Sequence, residues 1–496
     1  MSLALTIVAS YDPQYLRIAE HMVRRDRSNG HSPVVLDITS ISPVPSESYH
    51  RKTLHFFGFQ HPGHDLPSRL RDVGSDYMDI RSVLARAPEA SLSALDEEQL
   101  AIAVESALIT YFRTDQPRRR IRRIGHLAEA LDRQGRSVYR AVKHVLGEQE
   151  FAVMNVPNGR FPSQKMAIIA AVDSGVPTVH YEKGETPSGA YIQPYAPQNR
   201  LASQGAVDGV LATLSQGRIE EIAQKWLDRR APAAASANTY SANWTDELPE
   251  ALKDVKPGQP VIGFFTSSQD EFQFLGKEWH LHEWKSQFEA FDTILNFFEE
   301  QGALCYLRIH PNLATKAEDC FRREREDLER LASRHPQLVV IPHDDPVSSY
   351  ALVAASQGVV VWYSTLGLEA SARSVPVWTC AVARYGEVAD VREVFGESDV
   401  TKSMMTPWPV DSQGAKRYIS YLVSRDEEID MSLPAWEPWA ANKKSWRLAI
   451  ARLFVSGGNP SVRDALQATV DTWRHRSARF NRASLKAKRA SSRSKA

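Results

Sequence analysis

Cysteine is scarce: Cys305, Cys320 and Cys380 are the only three in 496 residues, and no two stand at a metal-binding spacing. Cys305 and Cys380 fall in apolar runs that read as buried strands, which points to reduced core thiols and excludes a disulfide framework. Long apolar runs are also missing, since no segment approaches the ~20 apolar residues of a membrane-spanning helix. The stretch Leu3 to Ser10, followed by Asp12, has no basic n-region; it is expected to be a first strand rather than a signal peptide, in a cytoplasmic protein. Net charge is absent, with Lys+Arg and Asp+Glu at 60 each, so no specific nucleic-acid partner is expected. No internal repeat of solenoid length is present.

What is present is a globular profile, 43% hydrophobic and 24% charged, in a length suited to two or three domains. The charge is unevenly placed. From Arg474 to Ala496 there are nine Lys or Arg and no acid, so a basic, disordered tail follows a net acidic body. Such a tail suits peripheral contact with anionic lipid at the inner face of a membrane, or serves only solubility. A second basic run, Arg118 to Arg123, reads as a solvated helix face or as a membrane or acceptor patch.

Apolar runs at Leu3–Ala9, Pro33–Ile38, Phe151–Val156 and Thr178–Tyr181 predict strands. Helical spacing around Tyr15–Arg25, Leu100–Phe112, Ile124–Leu146 and Met166–Val172 separates them, so the first half is α/β. A more regular series follows Pro260. Strands are expected at Pro260–Phe265, Leu304–Ile309, Leu338–Ile341, Val359–Tyr363 and Val375–Trp378. Helices at Phe288–Gln301, Arg322–Arg334, Tyr350–Ser356 and Leu366–Arg373 alternate with them, the pattern of a second parallel sheet. Helical segments at Asn442–Phe454 and Val462–Arg474 precede the tail.

In open parallel sheets, ligands bind beyond the carboxyl ends of the strands. Four such ends in the second half carry polar residues. After Phe265 come Ser267, Ser268, Asp270 and Glu271, whose hydroxyls suit an anion or merely cap a turn. The next strand ends in Arg308-Ile309-His310-Pro311, where alternation places Arg308 and His310 on one face, a cation and an imidazole for a departing phosphate. Asp345 either caps a helix or contacts a nucleoside. The run Tyr363-Ser364-Thr365-Leu366-Gly367-Leu368-Glu369 puts two hydroxyls at a strand-to-helix turn, with Glu369 four residues past Thr365 and within reach of ribose hydroxyls. Plain helix capping is the alternative.

Taken together, Ser267 to Glu271, Arg308 to Asn312 and Ser364 to Ala370 resemble the motifs of the capsule-polysaccharide biosynthesis glycosyltransferases. Asn158-Gly159-Arg160 and Tyr181 to Gly184 are similar to motifs in that family's N-terminal domain. The resemblance spans about Phe151 to Phe395. It implies a GT-B fold: two Rossmann-like α/β domains with parallel sheets facing across a cleft, plus C-terminal helices. The expected divisions are an acceptor-side domain 1–240, a linker 241–256, a nucleotide-sugar-binding domain 257–440, helices 441–475 and a basic tail 476–496. The resemblance further implies metal-independent transfer from a nucleotide-sugar donor, with a CMP-linked acidic sugar as one candidate, to a capsular glycan or glycolipid, without a cofactor. Donor phosphate would be held by Ser267, Ser268, Arg308, His310, Ser364 and Thr365, and the nucleoside by Glu369 and Asp345. Arg160 and Glu271 would lie in the cleft. The related sialyltransferases carry an acidic residue before Asp-Gly as general base; that tripeptide is absent here, leaving Glu182, Asp270 and Glu271 as candidates. A CDP-glycerol-type polyol-phosphate transferase and a non-catalytic nucleotide-binding protein of the same fold remain as alternatives.

Overall fold

The computed structural model describes residues 2–10, 12–43, 66–112, 124–186, 188–230, 244–268, 275, 277–311, 313, 318–405 and 410–430. The candidate acids Asp270 and Glu271, the basic run at 118–123, both expected C-terminal helices and the tail lie outside these residues.

Two sheets organise the chain. The first contains β1 (Leu3–Val8), β2 (Ser32–Asp37), β3 (Asp76–Asp79), β4 (Phe151–Pro157), β5 (Thr178–Lys183), β6 (Gly189–Gln193) and β13 (Asp426–Glu428), in the order β3-β2-β1-β4-β5-β6-β13. Strands β3 to β5 across this order pair in parallel, while β6 and β13 add antiparallel at one edge. The second sheet is wholly parallel, in the order β12-β11-β10-β7-β8-β9. Its strands are β7 (Val261–Phe265), β8 (Leu304–Arg308), β9 (Val339–Ile341), β10 (Gly358–Val361), β11 (Val377–Thr379) and β12 (Arg392–Glu393). The fold is therefore α/β with two Rossmann-like units, the GT-B type.

The helices of the first half are α1 (Pro13–Ser28), α2 (Leu66–Asp72), α3 (Ile80–Leu84), α4 (Ala94–Phe112), α5 (Ile124–Glu148), α6 (Pro162–Asp173), α7 (Arg200–Gly205), α8 (Val207–Leu211) and α9 (Gln216–Arg230). Those of the second are α10 (Gln287–Glu300), α11 (Glu318–Arg334), α12 (Ser349–Ala354), α13 (Thr365–Ser371), α14 (Glu397–Met405) and α15 (Ser412–Ser424). No described helix is long and apolar enough to cross a membrane.

Alternation along each strand decides which helices cover which face. Leu5 and Ile7 of β1 point toward α4, α5 and α6, whereas Val8 packs on Leu16, Ala19 and Val23 of α1. In the second sheet, Ile262, Phe264, Leu307 and Val360 meet Phe291, Ile294 and Leu295 of α10. The other face of β7, Val261 and Phe265, lies against α12 and α13 through Leu352, Val353 and Ala370. Packing also crosses the expected boundary at 240. Trp226 and Leu227 of α9 share a cluster with Leu368 of α13 and Tyr418 and Ile419 of α15.

One buried polar group makes this fold sensitive to pH. Asp26, near the end of α1, is fully buried and accepts a 2.7 Å hydrogen bond from Asn155 of β4, whose amide also reaches Thr6 of β1 at 3.0 Å. Burial pushes the Asp26 carboxyl up from 3.8 to about 6. The folded chain then holds a proton that the unfolded chain has released, so this contribution to stability is full below about pH 4 and is lost as pH rises to about 6. Asp26→Asn should raise the unfolding free energy measured in urea above pH 6, by on the order of 2 kcal/mol, and reduce the fall in stability between about pH 4 and 6. A variant less stable than the parent at pH 7 would contradict this account.

Candidate functional site

The order of the second sheet reverses between β7 and β10: from β7 the chain builds outward through β8 and β9, and from β10 through β11 and β12. Loops leaving such neighbours run to opposite faces and open a crevice between them. A cavity of ≈ 290 Å³ lies there. Of the residues expected from sequence, it is lined by Ser267, Ser268, His310, Ser364 and Thr365; Tyr363, Arg384 and Tyr385 complete it.

The loops are tied to one another by hydrogen bonds that leave their polar ends toward the cavity. The backbone N–H of His310 donates to Thr266 Oγ1 at 2.8 Å, joining the tips of β7 and β8. Gln287, buried at the start of α10, accepts from the Ser267 N–H at 2.9 Å and donates to the Ser267 carbonyl at 3.3 Å. Tyr363 donates its hydroxyl to the Ser268 carbonyl, and Tyr385 donates to the Ser364 carbonyl at 2.6 Å. Ser364 caps α13 by accepting from the Leu366 N–H at 3.2 Å. Gly367 is needed here for space, because a Cβ would stand 2.2 Å from the Tyr385 hydroxyl oxygen. Tyr385 fills the space that the missing side chain leaves. Ser267 is 3% exposed, and its buried Oγ has no hydrogen-bond partner, a costly state unless a ligand or water completes it.

Arg308 is not among the lining residues, and its expected phosphate contact is corrected by its bonds. Its guanidinium donates to the carbonyls of Pro342, Asp345 at 3.0 Å and Val347 at 3.4 Å, and the residue is 1% exposed. Burial lowers its pKa, with Asp345 and Asp344 opposing that shift. Strand β8 ends at Arg308, so the alternation that would have paired it with His310 stops there. Asp345 is likewise outside the cavity lining: its Oδ1 accepts from the Val347 N–H at 2.9 Å, the turn-capping alternative. Glu369 points inward. It is 3% exposed, lies 3.4 Å from Arg230 and hydrogen-bonds with Tyr350, while burial raises its pKa against the pull of Arg230. Its carboxylate is thus taken up by Arg230 and Tyr350, and it is not among the residues that line the cavity.

Glu182 and Arg160 belong to a separate cluster at the tips of β1, β4 and β5, the corresponding reversal point of the first sheet. Glu182 accepts from the Tyr15 hydroxyl and the Lys183 N–H (2.9 Å) on one oxygen and from the Asn158 amide on the other. Asn158 has φ 51°, a conformation rare outside glycine, and its Oδ1 accepts from the Arg160 N–H at 3.1 Å and from Gln198 at 2.5 Å. The Arg160 side chain donates to Ser106. The structure thus brings five expected residues into the cavity and places Arg308, Asp345, Glu369, Glu182 and Arg160 elsewhere. Arg384 and Tyr385, absent from the sequence motifs, follow β11 of the same sheet, so their position after a parallel strand is the signal that marks them.

No protein-family model matches the chain, and no curated protein sequence matches it. Solved structures similar to it include Thermosulfurimonas dismutans KpsC, a beta Kdo 2,4 transferase, with 12% identity and TM-score 0.35 over 53% of this chain and 79% of that one. S. aureus MnaA with UDP is 13% identical, TM-score 0.30, over 85% and 92% of the two chains. The UDP-GlcNAc 2-epimerase from Neisseria meningitidis bound to UDP-GlcNAc is 12% identical, TM-score 0.29, over 85% and 97%. At these values chemistry does not transfer from one chain to another, and the site stands on the residues described above.

Arg308→Met should lower stability by about 3 kcal/mol, since it strands buried carbonyls. Its folded form should bind nucleotide as tightly as the parent. A large loss of affinity, measured by calorimetry on protein shown to be folded, would restore Arg308 to the site.

Proposed function

We propose that the chain is a glycosyltransferase that takes a sugar from a nucleotide-activated donor, a CMP-linked acidic sugar among the candidates, and adds it to a growing surface polysaccharide or glycolipid. The single observation that carries this reading is the cavity at the β7/β10 reversal, lined by hydroxyls, an imidazole and the unpartnered Ser267 Oγ. Such a lining suits a phosphate: Ser267, Ser364 and Thr365 can donate to its oxygens, and His310 can stabilise the charge that develops as the nucleotide departs. Those donors are already positioned by the cross-ties between loops, so little reorganisation accompanies the reaction. Closure of the two α/β units over the donor would exclude water.

The reading also supports metal-independent transfer. Among the described residues the cavity lining holds no Asp or Glu, so those residues offer none of the carboxylate oxygens that divalent cations prefer, and Arg384 supplies a cation. Turnover should be unaffected by EDTA; activity abolished by chelation and restored by magnesium or manganese would reject that part.

A second reading has its own support. Among the described candidate bases, Glu182 has both carboxylate oxygens occupied by Tyr15, Asn158 and the Lys183 N–H, an arrangement suited to holding structure. This favours a nucleotide-binding protein of the same fold without transfer activity. Thermal-shift and turnover assays with CMP-, UDP- and CDP-linked donors separate the two. The transferase reading expects selective stabilisation by one nucleotide class and donor turnover. It also expects both to fall at least tenfold in Ser267→Ala and His310→Ala. Stabilisation without turnover of any donor would favour the binder, and no response to any nucleotide would reject both.

A further inference from the structure

With Arg308 committed to backbone carbonyls, the cavity needs another source of fixed positive charge to hold a phosphate. Among the described lining residues, one carries a permanent charge, Arg384. We propose that Arg384 is the specificity-determining cation of this site, selecting phosphorylated over neutral ligands. The assignment rests on the reading of the cavity as a phosphate site.

The local structure fixes where this charge stands. After β11, Cys380, Ala381, Val382 and Ala383 are all buried, at 0 to 2% exposure. The Cys380 and Ala381 N–H groups donate to the carbonyls of Val361 and Trp362 at 2.9 Å each, which continues the ladder beside β10 toward the cavity. Tyr385, the next residue, is anchored by its hydroxyl to the Ser364 carbonyl at 2.6 Å. The Arg384 backbone is therefore held on both sides. Its guanidinium carbon lies 5.9 Å from the centre of the Trp279 ring, which gives the charge an aromatic wall.

A further support comes from the first half of the chain. Gln204 of α7 donates to the Arg384 carbonyl at 3.0 Å, and Arg200 of the same helix pairs with Glu387 at 2.7 Å. The segment 384–387 is thus braced from outside the second sheet. A planar guanidinium with permanent charge can meet two phosphate oxygens at once, a geometry a lysine cannot copy.

Titration calorimetry with inorganic pyrophosphate, UDP and CMP tests the assignment on the full chain, comparing the parent with Arg384→Met, Arg384→Lys and His310→Ala over a range of salt concentrations. Arg384→Met should weaken binding of the preferred probe roughly 10- to 100-fold and reduce the dependence of affinity on salt; Arg384→Lys should recover part of the affinity. Equal melting temperatures for parent and variants establish that the fold is intact, and if Arg384→Met does not fold, the loss in Arg384→Lys decides. Parent-like affinity and salt dependence in Arg384→Met, with binding lost in His310→Ala, would overturn the Arg384 assignment and leave the phosphate site standing. A parent protein that binds none of the three probes would remove the site and this inference with it.

Discussion

The reversal of strand order between β7 and β10 is the constraint on which the candidate site depends. Helix α10, which follows β7, covers one face of the sheet, and α13, which follows β10, covers the other. Their incoming loops must therefore part at the strand tips, and the gap cannot be closed by either helix. The sequence fills the rim of that gap with side chains that bind its loops to one another. Thr266 holds His310, Tyr363 holds Ser268 and Tyr385 holds Ser364. What remains inside is a small polar space whose least satisfied member is the Ser267 hydroxyl.

Much of this was legible before the fold was known. Fully apolar runs such as Val261 to Phe265 and Gly358 to Val361 announce strands buried on both faces, as parallel sheets require. Strand tips bearing Ser267, His310 and Ser364 followed from those runs. The misplacements have physical causes. Period-two alternation was extended past the end of β8, so Arg308 was assigned the side of His310. Helix periodicity placed Glu369 near Thr365 but says nothing of which neighbour waits there; Arg230, distant in sequence, decides that. The edge strand Asp426–Glu428 has no apolar alternation at all, and it exists because the exposed edge of β6 accepts it.

The two halves are held together by charged and polar ties as well as by apolar packing. Arg230 lies 3.8 Å over the Trp226 ring and reaches both Glu185, at 3.3 Å, and Glu369, at 3.4 Å. Glu369 thereby joins α13, whose first residues line the cavity, to a loop of the first sheet. A residue expected to touch the nucleoside instead fixes the helix that presents Ser364 and Thr365. The first sheet keeps its own polar cluster around Glu182 and Asn158, so each Rossmann-like unit has a chemically distinct reversal point.

The central claim is that the tips of β7, β8 and β10 converge on a single phosphate-bearing ligand. A crystal structure of the protein with UDP or CMP bound tests it most directly. The account predicts phosphate oxygens within hydrogen-bonding distance of Ser267 Oγ and the His310 imidazole. A nucleotide bound away from the β7/β10 crevice, with Ser267 and His310 untouched, would contradict it.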